Sequence, residues 1–193
     1  MTVTKNFVNV VRSMLTASGY SEVVQGVFDK PGAKFDYQVR LSVAGQALVR
    51  ATFVFGFRIK EIDQKICNSD YIAAQNAATG KHVPTIMGYI DTIAAWAGIK
   101  SARSFDVDST SISQIDEISN AISAIEGRFI TLDDIADLGA QELNLPGGHN
   151  SLRVPLLLRL TGRYRDREQY IARMREVNPS PDYESILHQV ESS

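Results

Sequence analysis

The stretch Phe35–Ile59, FDYQVRLSVAGQALVRATFVFGFRI, constrains the fold more than any other part of the chain. Phe35, Tyr37, Val39, Leu41 and Val43 are apolar at every second position, with Asp36, Gln38, Arg40 and Ser42 between them. After Ala44-Gly45-Gln46 the same period resumes in Val49, Ala51, Phe53, Phe55, Phe57 and Ile59, set against Arg50, Thr52 and Arg58. Successive side chains of a strand point to opposite faces, so the pattern predicts an antiparallel hairpin with one buried face. Such a face needs a cover.

The nearest cover is a helix over Lys5–Ala17, capped by Thr4, with Phe7, Val10, Val11, Met14 and Leu15 on one stripe. Glu22–Phe28 reads as a strand leading into a turn at Asp29-Lys30-Pro31-Gly32, which makes the sheet a meander. Ser104–Asp108 is a candidate fourth strand. From Ile59 the apolar spacing lengthens, and Ile62 and Ile66 open a helix. Further helices are expected over Tyr71–Ala78 and Thr85–Ala97, and from a cap at Ser111 or Ser113 along Ile115, Ile118, Ile122 and Ile125. Four more are expected over Thr131–Leu143, Leu152–Leu160, Asp166–Val177 and Tyr183–Val190, the second and third forming a helical hairpin. The class is therefore α+β: an N-terminal helix, a three- to four-stranded antiparallel meander and a mostly helical C-terminal half. One domain over residues 1–193 is expected, with 67–193 packed on 1–66.

With 44% hydrophobic and 22% charged residues, the chain has enough apolar material for an ordinary globular core. The single cysteine, Cys67, makes no intramolecular disulfide, no run is long enough to span a bilayer, and MTVTKNFVNVV lacks the pattern of a signal peptide. A cytoplasmic protein is the expectation.

Catalytic chemistry finds little purchase. His82, His149 and His188 are far apart, without partners at metal-ligand spacing. Leu145-Pro146-Gly147-Gly148-His149-Asn150 offers backbone N–H groups and a base before a helix, but it has neither nucleotide-loop pattern, and any helix-to-helix turn uses the same residues. No catalytic, cofactor-binding or metal-binding residue is assigned, and no cofactor is expected. Charge is more informative. Asp106–Glu142 holds nine acids and one base, Arg128, whereas Arg153–Glu176 holds seven arginines and three acids. Asp106, Asp108, Asp116, Glu117, Asp133, Asp134 and Asp137 are candidate contacts for a basic protein partner. The arginines suit phosphate contacts with nucleic acid. Alternatively, the two segments are solvated faces or neutralise each other across a helix–helix contact.

The order of a helix, a meander, a helix emerging from FGFRIKEIDQKI and a helical hairpin at LTGRYRDREQYI resembles small bacterial α+β immunity proteins of polymorphic and contact-dependent toxin systems. The resemblance implies a protein without a catalytic site that blocks a toxin by direct binding. It also implies a basic nuclease as one class of partner for the acidic segment. The rival expectations are a dimeric secretion chaperone, an enzyme using His149 and nearby acids, and a nucleic-acid binder using Arg159, Arg163, Arg165 and Arg173.

Overall fold

Alternating apolar residues make strands only where a neighbour completes the backbone hydrogen bonds, and the chain supplies those neighbours in sequence order. The computed structural model describes residues 3–46, 48–68, 84–108, 114–141, 150–177 and 180–192. Contacts group the chain into two compact units, Met1–Gly56 with Met87–Ile130 and Phe57–Ile86 with Thr131–Ser193.

In the first unit, α1 (Val3–Ala17) buries Phe7, Val11 and Leu15, one residue per turn. Thr4 lies inside this helix and does not precede it as a cap. Glu22–Phe28 is two strands and not one: β1 (Ser21–Val24) turns at Gln25-Gly26 and returns antiparallel as β2 (Val27–Lys30). Gly26 explains the reversal. Its φ is +75°, and a Cβ there would lie 2.6 Å from the Leu41 carbonyl oxygen. Its own carbonyl accepts the Leu41 N–H at 2.8 Å, tying the turn to the next strand.

β3 (Asp36–Ala44) and β4 (Arg50–Arg58) form the predicted hairpin. Ala51, Phe53, Phe55 and Phe57 are fully buried, as their alternation requires. The other face of β3 departs from expectation, because Asp36 and Gln38 are buried too. Gln38 stands opposite Asp29 in the β2–β3 register and donates to its Oδ1 at 2.7 Å. Arg40 Nε donates to Gln38 Oε1 at 2.6 Å, so a polar row replaces solvent there.

Thr85–Ala97 is likewise not one helix. Ile86–Tyr89 is β5, and only Ile90–Trp96 is helical, as α3. The isoleucine spacing fits a helix, but pairing with β4 overrides it for the first four residues. β6 (Ser104–Asp106) pairs antiparallel with the start of β4, Arg50 facing Asp106. The sheet order is β1-β2-β3-β4-β5, with β6 also on β4. Helix α4 (Ile115–Arg128) packs against α3 and buries Ile115, Ile118, Ile122 and Ile125.

In the second unit, α2 (Lys60–Asn68) starts at Ile59, whose N–H donates to Thr85 Oγ1 at 2.8 Å. The same hydroxyl donates to Asp63 Oδ1 at 2.9 Å, which orders the first turn of α2. Helix α5 (Leu132–Gln141) carries a reciprocal cap: Asp134 N–H donates to Thr131 Oγ1, and Thr131 N–H donates to Asp134 Oδ2. Helices α6 (Asn150–Leu160), α7 (Tyr164–Val177) and α8 (Tyr183–Ser192) complete the unit. The expected helix at Tyr71–Ala78 and the caps at Ser111 and Ser113 lie outside the described residues. The fold is α+β, with an N-terminal helix, an antiparallel sheet through β1–β4 and a mostly helical C-terminal half. Among the described residues no helix is long and apolar enough to cross a membrane.

Gly26→Ala tests the turn. A Cβ in this left-handed position, against the Leu41 carbonyl, should cost about 1–3 kcal/mol in urea denaturation. A loss below about 0.5 kcal/mol would show that the β1–β2 turn accommodates a side chain.

Candidate interaction surface

The second unit is built around α6, whose residues from Leu152 to Leu158 are all buried. A helix buried on every side must be surrounded, and α2, α5, α7 and α8 all contact it. At its C-terminal end the apolar character continues into the surface. Gly162, at φ +73°, lets the chain reverse, with Arg163 N–H donating to Leu158 O at 2.7 Å and Gly162 N–H to Arg159 O at 3.0 Å. The reversal leaves Leu160 37% and Tyr164 64% exposed.

These two side chains border a groove of about 340 Å³ lined also by Glu61, Ile62 and Lys65 of α2, Leu156 and Arg159 of α6, and Glu191 of α8. Ile62 and Leu156 are buried apolar residues, while four charged side chains stand around them. Glu191 is well enclosed, with 10% of its side chain exposed. Its Oε1 accepts from Arg167 Nη2 at 2.5 Å and Nε at 3.1 Å, and its Oε2 lies 3.2 Å from Arg159 Nη1. Burial alone would lower the Arg167 pKa, but hydrogen bonding and charge from Glu191 outweigh it and raise it. Beside this wall, burial pushes the Tyr183 phenol up to about 12, and its hydroxyl donates to the Ser151 carbonyl at 2.7 Å.

The seven acids singled out from the sequence do not share one unit. Asp106, Asp108, Asp116 and Glu117 belong to the first, and Asp133, Asp134 and Asp137 to the second. Several have internal roles. Asp106 pairs with Arg50 at 3.2 Å, Glu117 accepts the Ala102 N–H at 2.8 Å, Asp134 caps α5, and Asp137 accepts from Arg163 Nη1 at 2.6 Å. Asp108, Asp116 and Asp133 are exposed. Glu126, from the same acidic stretch, accepts from Tyr20 at 2.6 Å and Lys30 at 2.7 Å inside the first unit.

The arginines are largely internal fastenings. Buried Arg153 donates to Pro84 O at 2.6 Å, Arg163 bridges Asp137 and Asp166, Arg173 donates to the Ala140 carbonyl at the end of α5, and Arg175 meets Glu184. Arg163 thus joins the acidic and arginine-rich segments across α5 and α7. Guanidinium groups already bound to carboxylates and helix-end carbonyls offer little attraction to phosphate, which weakens the nucleic-acid reading. Exposed Arg165 is placed otherwise. Among the described residues no group of His, Cys, Asp and Glu is arranged to hold a metal ion. His188 is exposed on α8, whereas His82, Glu142 and the loop through His149 lie outside the described residues. The groove drew no attention in the sequence because four separated segments build it. Its one visible signal was Leu160 and Tyr164 flanking a glycine turn.

Arg163→Ala should destabilise the chain by about 1 kcal/mol in urea denaturation, since both carboxylates it bridges are partly exposed and solvent-screened. Arg163→Lys should restore less than half, because an ammonium cannot span both carboxylates as a planar fork does. Arg165→Ala should stay within about 0.5 kcal/mol of the parent. Equal losses at positions 163 and 165 would refute a fastening role for Arg163. Compared with protein-family models, curated proteins and solved structures, the chain matches none.

Proposed function

We propose that this chain is a non-enzymatic protein-binding protein whose contact surface is the groove beside Leu160 and Tyr164. The exposure of those two side chains over an apolar floor carries the reading. Protein contacts concentrate their energy in aromatic and aliphatic anchors enclosed by a polar rim, and Tyr is among the residues most enriched at such points. Here Ile62 and Leu156 supply the floor, Leu160 and Tyr164 the exposed anchors, and Glu61, Lys65, Arg159 and Glu191 the rim. Within this class the specific reading is a cytoplasmic immunity protein that neutralises a toxin by occluding its active site, which the resemblance in element order supports. The exposed carboxylates of Asp116 and Asp133 are secondary contacts for a basic toxin, acting through encounter rate more than through affinity.

Calorimetry with the product of the neighbouring gene tests this. The parent chain should form a complex at micromolar concentration. The double variant Leu160→Asp with Tyr164→Ala should bind at least about tenfold more weakly while keeping the parent far-ultraviolet spectrum. No complex with the parent chain would remove the immunity reading, and undiminished binding by the folded double variant would remove the groove from the contact surface.

A further inference from the structure

We propose that α8 is a releasable strap that forms one wall of the groove and whose departure widens it, an inference that rests on the groove being the contact surface. The manner of its attachment points to this. Helix α6 buries seven consecutive residues, Leu152 to Leu158, whereas α8 buries only Leu187 and Val190. The residues that lead into it, Ser180–Asp182, are all exposed. Tyr183 and Ile186 are half-buried, and the ties of α8 include Tyr183 on the Ser151 carbonyl, Glu184 on Arg175 at the surface, and Glu191 on Arg159 and Arg167.

Segments with few buried apolar contacts and solvent-accessible polar ties occupy the low end of local stability. Dissolved salt weakens the exposed Glu184–Arg175 pair, whereas the enclosed Glu191 pairs are screened less and open when the carboxylate charge is removed. Glu191 is the pivotal member because it lines the groove and holds two arginines from one carboxylate. Its departure with α8 would remove a wall and free the Arg159 guanidinium, which already lines the groove, for a carboxylate on an incoming partner. Closed, α8 sets the width of the groove. Released, it presents a wider apolar floor and one more available cation.

Hydrogen–deuterium exchange of the full chain, read by mass spectrometry without any partner, tests the strap. In Glu191→Gln, amides of 183–192 should exchange about tenfold faster or more, with those of 151–160 unchanged. Should the variant fail to fold, the parent chain decides alone: 183–192 should exchange about tenfold faster than 151–160, and equal exchange would overturn the proposal. Unchanged exchange over 183–192, or equal acceleration over 151–160, would overturn the proposal. Because no partner is present, a fixed α8 leaves the groove's role in binding untouched, and a failure of partner binding leaves an opening α8 intact.

Discussion

The phenylalanines of β4 leave water only if hydrogen-bonded neighbours and helical cover enclose their strand, and that requirement organises the first unit. β3, β5 and β6 all hydrogen-bond to β4. Phe53 meets Phe105 of β6 edge-on at 6.2 Å, and Phe55 meets Tyr37 of β3 at 6.1 Å, so the strands on β4 contribute rings as well as backbone partners. Each phenylalanine taken fully from water is worth about 1.5–3 kcal/mol. The stripes of α1, α3 and α4 are buried in the same unit, and the Tyr20–Glu126–Lys30 cluster ties the approach to β1, the end of β2 and α4 together by side chain. That cluster is enclosed enough that burial, followed by the Glu126 hydrogen bond, pushes the Tyr20 hydroxyl far above its usual range.

The elements that could be read from sequence are those whose pattern admits one period. Ala51, Phe53, Phe55 and Phe57 alternate over too long a run for a helix, and Ile115, Ile118, Ile122 and Ile125 repeat too regularly for a strand. Ile86, Tyr89, Ile90 and Ile93 have helical spacing, yet β4 beside them draws Ile86–Tyr89 into a strand. Val24-Gln25-Gly26-Val27 held a turn signal in its glycine, but the flanking valines hid it within an apparent single strand. Gln38 looked solvent-facing because its partner, Asp29, is set by the β2–β3 register and not by local sequence.

The charge asymmetry was equally visible, but its meaning depended on distances. A run of arginines reads as a basic surface only while their neighbours are unknown. With Arg163 between two carboxylates, Arg167 and Arg159 on Glu191, and Arg173 on a helix-end carbonyl, the run acts as a set of clamps among α5–α8. Arginine suits that task better than lysine, since one planar group can satisfy two acceptors with little further loss of freedom. Leu160 and Tyr164, by contrast, present apolar surface beside those clamps.

Neither compact unit is a continuous stretch of chain. The path leaves the first unit within β4, returns within β5 and leaves again after Ile130. During synthesis, β4 therefore emerges well before α3, α4 and β6, and Phe53 and Phe55 wait for partners that follow 30 or more residues later. Residues 57–86 wait longer still, for helices at the far end of the chain. Nascent chains with this order of events keep sticky strand faces exposed at the ribosome and depend on late long-range closure. Newly made molecules of this protein accordingly carry an incompletely covered central strand for the interval between the synthesis of β4 and that of β5, β6 and α4.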